Sequence, residues 1–211
     1  MIIKEYGMDD LAKARKLQKD MCDLHIPCPI MNWNYEIKEK DKIIEKGIGK
    51  SNSYTRNALN ILASQLGFAS DKIFLATPFG DGIMNVKKPT NLIVFATLAR
   101  TSPENNVNNN PYVVLGINNT AETLESFATL TSGLTEKPKN LISLWDNVNR
   151  KLITQIIGSY TNSTGESIDI TESGIISILC LYVRDVFAPI TVGVGQTITW
   201  TYVTEVAYPN P

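Results

Sequence analysis

The residues best suited to metal chemistry lie close together near the N-terminus. Cys22, His25 and Cys28 place two thiols and the only histidine of the chain within seven residues. With Cys180 or a carboxylate as a further ligand they could hold zinc, which protein sites bind through Cys and His side chains. Their spacing fits no standard zinc finger or ribbon. We therefore predict no metal site and interpret the cysteines as small buried apolar groups, while metal binding by the cluster stays an open alternative.

Groups for covalent catalysis or nucleotide binding are sparse. His25 is the only imidazole and is distant in sequence from any serine in a nucleophile-elbow setting, so no catalytic triad can be assembled. Gly47–Ser51 reads Gly-Ile-Gly-Lys-Ser but lacks the first glycine at the P-loop spacing. We interpret it as a turn followed by a helix cap at Ser51 or Ser53. The sequence thus predicts a protein that is not an enzyme, with no catalytic residues and no cofactor.

Several carboxylates occupy positions that could indicate hydrolysis or calcium binding. They are Asp81, Asp146 and the series Glu166, Asp169 and Glu172, whose members are three residues apart. Glycosidases use two carboxylates, and calcium prefers carboxylate oxygens. On a strand, however, residues three apart point to opposite faces. We therefore expect the series to lie at a solvated edge of a sheet.

Three tryptophans and eight tyrosines could provide a binding platform for sugars. Exposed rings on a β-sheet face stack on carbohydrate, whereas buried rings fill a core or a subunit interface. If Trp33, Trp145 and Trp200 form such a platform, replacing Trp145 or Trp200 by Ala should abolish polysaccharide binding. The competing interpretation is that the rings are packing residues.

Composition and charge limit the class of protein. The chain has 211 residues, of which 43% are hydrophobic and 19% charged, and its net charge is −1. That apolar content is sufficient for a folded core, and the near-neutral charge argues against nucleic acid as a partner. We find no apolar run long enough to span a membrane and no secretory signal, so we expect synthesis in a cytosol with reduced thiols.

Two helices and a hairpin are predicted in the first third of the chain. Apolar residues recur at a period near 3.6 from Met8 to Met21, which predicts an amphipathic helix. Ile30–Lys38 alternates, and the polar tip Glu39–Lys42 leads to Ile43 and Ile44, which predicts a β-hairpin. A second helix is predicted near residues 53–66, ending at Gly67.

The remainder is predicted to be strands separated by turns. The candidates are Ile73–Ala76, Leu92–Leu98, Tyr112–Ile117, Ser126–Leu130, Leu141–Trp145, Lys151–Tyr160, Ser167–Thr171, Gly174–Val183 and Thr197–Val206. The last alternates large apolar residues with threonine, as expected of a strand with one buried face. Arg100–Pro111 has too little apolar surface to pack and is interpreted as an exposed loop.

This pattern predicts a mainly β fold, an antiparallel β-sandwich of jelly-roll type with a short N-terminal helix and the helix near 53–66. For the domain organisation we predict an N-terminal helix or arm over residues 1–30, followed by a β-sandwich domain over residues 31–211 that contains the inserted helix.

Three patches together resemble proteins of tailed-bacteriophage virions. The first, Gly49–Asn57, reads Gly-Lys-Ser-Asn-Ser-Tyr-Thr-Arg-Asn and is similar to a helix start in such proteins. The second, Tyr112–Thr123, looks like their Val-Val-Gly segment with an Asn/Thr-rich turn, although Leu115–Ile117 is less glycine-rich. The third, Leu181–Val192 followed by Gly195–Tyr202, resembles a strand, an Arg-Asp corner at Arg184 and Asp185, a proline turn and a terminal strand.

The resemblance implies a non-enzymatic particle component such as a head-fibre, collar, tail or decoration protein, present in many copies and located in a virion assembled in the host cytoplasm. Its expected partners are copies of itself and other virion proteins, without nucleic acid and without a membrane span. A receptor- or glycan-binding module of a phage appendage, with a host surface glycan as partner, is the alternative, and a hydrolase using a carboxylate pair is a third hypothesis. The interface candidates are Leu11, Leu17, Asn105, Asn109, Asn110 and Trp145.

Overall fold

The computed structural model describes residues 1–6, 8–24, 28–51, 72–77, 80–85, 112–117, 119, 140–177 and 180–207. The elements are β1 (Ile2–Tyr6), α1 (Met8–Asp23), β2 (Cys28–Glu39), β3 (Lys42–Lys50), β4 (Lys72–Thr77), β5 (Gly80–Asn85), β6 (Tyr112–Gly116), β7 (Asn140–Asp146), β8 (Lys151–Thr161), β9 (Ile168–Ser177), β10 (Cys180–Val192) and β11 (Gln196–Ala207). The predicted mainly β class with a short N-terminal helix is confirmed and is consistent with a sandwich-like fold. The jelly-roll arrangement stays a prediction.

The chain divides into two compact units. Unit 1 comprises Met1–Ser51, Glu136–Ile168 and Thr191–Pro211, and unit 2 comprises Asn52–Thr135 and Asp169–Ile190. Unit 1 contains a six-stranded sheet in the order β1-β3-β2-β11-β8-β7. Its strands pair antiparallel except for β1, which runs parallel to β3. In unit 2, β6 pairs antiparallel with β9, and β4 pairs antiparallel with β5.

The central strand β11 contributes several of the largest core residues of unit 1. It pairs along its length with β2 on one side and β8 on the other. Ile198, Trp200 and Tyr202 are at most 1% exposed, whereas Thr197, Thr199 and Thr201 between them are half-buried. Because consecutive strand residues point to opposite faces, this alternation places the three large side chains on one face. The predicted period-two pattern is confirmed from Thr197 to Tyr202, whereas Val203 and Thr204 are both buried and end the alternation.

The helix and hairpin predicted near the N-terminus are confirmed. Helix α1 begins at Met8 as predicted and ends two residues beyond the expected Met21. Leu11 is 1% exposed and Gln18 is 3% exposed. Gln18 Nε2 donates to the carbonyl oxygen of Glu205 at 3.1 Å, and Arg15 forms an ion pair with the Glu205 carboxylate at 3.5 Å, so α1 is fastened to β11. Strands β2 and β3 form the hairpin around a turn in which Lys40 has a positive φ of 54°.

The arrangement of β9 and β10 corrects two predictions. Ser167–Thr171 and Gly174–Val183 were expected to be separate strands, but β9 runs without a break from Ile168 to Ser177. The expected Arg-Asp corner and proline turn are also wrong, because Arg184, Asp185 and Pro189 all lie within β10. Strand β10 stands at an edge of the described three-stranded sheet β10-β9-β6, where a residue lacking N–H is tolerated. The chain turns at Gly193–Gly195 instead, where Gly195 has a φ of +74°.

Other predictions fall outside the described residues. They are the helix near 53–66, the strands Leu92–Leu98 and Ser126–Leu130, and the loop Arg100–Pro111. None of the helices in the described part of the chain has the length and apolar character needed to cross a bilayer.

Candidate functional site

Four aromatic side chains form a stacked core on one face of the sheet in unit 1. Trp33, Tyr35, Trp200 and Tyr202 are each at most 2% exposed. The ring centroids of Trp33 and Trp200 are 4.6 Å apart, and those of Tyr35 and Trp200 are 5.6 Å apart with nearly parallel planes. Two of the three tryptophans are therefore packing residues. The proposed platform role of Trp200 is wrong, because its ring is not accessible to a ligand.

Glycines of β3 make room for these rings. Gly47 pairs with Tyr35 and Gly49 pairs with Trp33 across the β2–β3 ladder. A Cβ atom at Gly49 would lie 2.6 Å from Trp33 Cε2, which real side chains do not tolerate. The Gly-Ile-Gly-Lys-Ser segment is therefore part of a strand, and its interpretation as a turn is wrong. Its glycines are required by ring packing.

The hydroxyl of Tyr35 is held in a polar contact at the edge of this cluster. Tyr35 Oη donates to Glu45 Oε1 at 2.6 Å, and Lys4 Nζ lies 2.9 Å from the same oxygen. Burial, reinforced by the hydrogen bond to the Glu45 carboxylate, raises the pKa of Tyr35 well above its usual range. Tyr35 is consequently a neutral donor that links β2 to β3.

The hairpin of β7 and β8 presents apolar side chains to solvent. Leu144 is 55% exposed, Trp145 is 48% exposed and Val148 is 89% exposed. Leu144 and Trp145 are consecutive strand residues and point to opposite faces, so both faces of β7 carry an exposed apolar group. We call Leu144, Trp145 and Val148 the hairpin patch. Leu144 and Trp145 are therefore separate candidate contacts on the two faces of β7.

The turn below the hairpin patch is fixed by Asp146. Its Oδ1 accepts hydrogen bonds from the backbone N–H of Val148 and of Asn149, both at 3.0 Å. Its Oδ2 accepts from Asn149 Nδ2 at 2.7 Å. These bonds, the Asn149 side chain foremost, lower the pKa of Asp146 below its usual range. The carboxylate therefore serves to order the turn that carries Val148.

The predicted interface residues differ in exposure: one is buried, two are exposed and three lie outside the described residues. Leu11 is buried in unit 1 at 1% exposure, so its side chain contributes to the core under α1. Leu17 is 56% exposed on α1, and Trp145 is exposed in the hairpin patch. Asn105, Asn109 and Asn110 lie outside the described residues. Leu17 and Trp145 belong to different elements.

The three carboxylates of the series Glu166, Asp169 and Glu172 lie in different surroundings. Glu166 and Asp169 are exposed, as expected of a solvated edge. Glu172 is 0% exposed, which contradicts that expectation, and its Oε2 accepts a hydrogen bond from Arg184 Nε at 2.8 Å. The side chains of Cys22, His25, Cys28 and Asp81 are outside the description. Within the residues that are described, no group of three or more His, Cys, Asp or Glu side chains is placed to hold a metal ion.

Sequence reasoning missed Leu144 and Val148. The available signal was the Asp-Asn-Val-Asn turn after β7, in which an apolar residue occupies a tip otherwise made of polar ones. An Asp at the start of such a turn can accept hydrogen bonds from the next backbone N–H groups, which orders the tip.

Comparison of the chain with protein-family models found no matching family, and comparisons with curated proteins and with solved structures found no similar chain. The resemblance to bacteriophage virion proteins therefore stays an expectation from the three sequence patches.

Proposed function

We propose that this chain is a structural component of a larger particle and acts through contacts with copies of itself and with other components. The hairpin patch carries this proposal, because Leu144, Trp145 and Val148 are exposed on a hairpin whose turn is hydrogen-bonded by Asp146. Burying such groups against a partner is favourable, and a fixed turn loses little conformational freedom on binding.

The surroundings of the hairpin patch suit association by apolar and hydrogen-bonding contacts. Strand β7 has a single charged residue, Asp146, and this carboxylate is engaged within its own turn. The net charge of the whole chain is −1, so repulsion between copies is weak. Subunit interfaces are depleted in charge at their centres and enriched in Trp, which agrees with the composition of this hairpin.

The finer assignment is a head, collar or tail accessory protein of a tailed bacteriophage, located in the virion. It is supported by the sequence patches at Gly49–Asn57 and Tyr112–Thr123. The third patch, Leu181–Tyr202, resembles such proteins in sequence, but its expected corner and proline turn lie within β10. The direct test is mass spectrometry of purified particles from the source of the sequence. Recovery of the chain in stoichiometric amounts would support the assignment, and its absence from washed particles would contradict it.

The self-association part of the proposal is tested by light scattering coupled to size exclusion. Leu144→Ser and Val148→Ser should reduce the mean mass at a given loading concentration, because each removes an exposed apolar contact. Val194→Ser is the matched control, since Val194 is 55% exposed in the turn before β11 and lies outside the hairpin patch. Equal masses for all variants would overturn the role of the patch.

A glycan-binding module is the second candidate, and one observation favours it. Trp145 is the only one of the three tryptophans that is substantially exposed, and Asp146, Asn147 and Asn149 follow it in the same hairpin. An accessible ring beside polar side chains is the kind of surface on which sugars stack.

A glycan array or calorimetry with host-surface polysaccharides tests the second candidate. Trp145→Ala should abolish a binding signal, and Val194→Ala should leave it unchanged. If no polysaccharide gives a signal with the unmodified protein, the glycan hypothesis is wrong.

A further inference from the structure

Strand β7 lies at one edge of the six-stranded sheet, as far as the described strands go. Edge strands present backbone N–H and C=O groups to a further strand, and proteins commonly protect them with charged residues or proline. The residues before Asp146 in β7 are Asn-Leu-Ile-Ser-Leu-Trp, with no charge and no proline. The opposite edge, β1, contains Lys4 and Glu5. Of the two described edges of this sheet, β1 therefore carries charged residues that disfavour pairing with a further strand, whereas β7 carries none before Asp146.

We propose that β7 pairs antiparallel with β7 of a second copy of this chain, about a two-fold axis at Ser143, so that the two sheets become continuous. This inference rests on the proposed function and specifies the partner and register of the hairpin patch. An isologous contact of this kind uses the same surface on both copies and closes as a dimer.

The register follows from matching the full length of both strands. With Ser143 opposite itself, Ile142 lies opposite Leu144 of the second copy, and Leu144 lies opposite its Ile142. Leu144 is exposed and Ile142 is partly exposed, so these two cross-strand apolar pairs bury surface on one face. A shift of one residue would move each side chain opposite a residue of the other face. The full-length register is therefore favoured.

The distribution of charged residues along β7 is also compatible with the register centred on Ser143. Asp146, the only charged residue of β7, lies opposite position 140, which is an asparagine. No like charges are placed against each other, and the axis passes through a small, exposed serine. Self-pairing thus meets neither electrostatic repulsion nor a bulky side chain at its centre. Since seven residues of strand form a small contact, we expect a dimer that dissociates in the micromolar range.

Cysteine crosslinking tests the register. Under mild oxidation Ser143→Cys should form a disulfide-linked dimer, because the two substituted residues face each other across the axis. Ser163→Cys is the matched control, since Ser163 is exposed in unit 1 outside any strand. Wild-type protein measures the background from Cys22, Cys28 and Cys180. A mixture of Ile142→Cys and Leu144→Cys chains should crosslink more than either variant alone.

Charge insertion provides a second test that does not depend on thiols. Ser143→Lys places two ammonium groups against each other at the axis and should raise the dimer dissociation constant at least tenfold, measured by sedimentation. Ser163→Lys adds the same charge elsewhere and should leave the constant unchanged. Far-UV circular dichroism checks that both variants keep their strands.

The outcomes separate this inference from the proposed function. Self-association together with selective crosslinking at residue 143 supports both. Self-association in which Ser143→Cys crosslinks no more than Ser163→Cys, and in which Ser143→Lys behaves as wild type, overturns the β7 pairing and leaves the proposed function standing. A wild-type chain that stays monomeric throughout the micromolar range contradicts both.

Discussion

Arg184 Nε donates to Glu172 Oε2 at 2.8 Å, and the side chains of the two residues are 7% and 1% exposed. The pair joins β10 to β9 inside unit 2. Removing one partner of a buried ion pair costs about 3–5 kcal/mol. Glu172→Ala should therefore lower the free energy of unfolding by about this amount, as measured by urea denaturation.

The matched control for this prediction is Glu166→Ala, because Glu166 is an exposed carboxylate in the turn before the same strand. It should change the free energy of unfolding by less than about 0.5 kcal/mol. Equal effects of Glu172→Ala and Glu166→Ala would show that the pair does not stabilise the fold.

The ion pair between Arg184 and Glu172 requires a glycine at position 116. It pairs with Glu172 in the β6–β9 ladder, and a Cβ atom at this position would lie 2.8 Å from Glu172 Cγ. Gly116→Ala should displace the carboxylate from Arg184 and destabilise the protein by about 1–3 kcal/mol. Gly165→Ala is the control, because a Cβ atom at Gly165 would meet no heavy atom within 4 Å. A shift in the thermal midpoint confined to Gly116→Ala is expected, and two unchanged midpoints would contradict the packing described for Gly116.

Asn162 joins the turn after β8 to the turn before β11. Its Nδ2 donates to the carbonyl oxygens of Glu166 at 2.8 Å and Val192 at 2.9 Å, while its Oδ1 accepts from the backbone N–H of Thr164 at 3.0 Å. The residue is 0% exposed, and its loss removes the donor of a buried hydrogen bond to the carbonyl group of Val192. The carbonyl group of Glu166 keeps Thr164 Oγ1 as a donor at 2.8 Å. Asn162→Ala should destabilise by about 1–3 kcal/mol.

Thermal unfolding of Asn162→Ala beside Ser163→Ala measures that effect. Ser163 is the next residue in the chain but is exposed, and it should be neutral. If Asn162→Ala has the same thermal midpoint as the wild type, the hydrogen bonds of the Asn162 side chain do not stabilise the protein as predicted.

The order of the β7–β8 turn should depend on pH through Asp146. Its folded-state pKa is lowered by hydrogen bonds from Asn149 and Val148, so the ionised carboxylate stabilises the turn above the unfolded pKa. That stabilisation is lost as the pH falls through the lowered folded pKa. The backbone amide resonances of Val148 and Asn149 should titrate together in an NMR experiment, with a midpoint below the ordinary Asp value of about 3.9. A midpoint at or above that value would contradict the assignment, and Asp146→Asn should remove the titration.

Local sequence patterns predicted those helices and strands that are specified by the spacing of apolar residues within one segment. The alternation in Thr197–Val206 and the helical period in Met8–Met21 each specify which residues share a face, and both elements were confirmed. The burial of Glu172 and the need for glycine at position 49 could not be predicted from local sequence patterns. Glu172 is buried with Arg184 of another strand as an ion-pair partner, and position 49 must be glycine because Trp33 occupies the space that a Cβ atom would need. Such relationships arise only when distant segments pack.

The hairpin patch illustrates the same limit at the candidate site. Trp145 was identified as an interface candidate from its residue type, but its exposure, in contrast to buried Trp33 and Trp200, depends on the position of β7 at the sheet edge. Leu11 was identified in the same way and lies in the core under α1. Residue type alone does not separate an apolar contact inside a chain from one between chains.

Sedimentation velocity of the unmodified chain over a micromolar concentration series tests the central claim most directly. If the protein works by associating with its own copies, the weight-average mass should rise with concentration above the 23.4 kDa of one chain. Leu144→Ser should shift that rise to higher concentration. A mass that stays at one chain throughout the series would contradict the account.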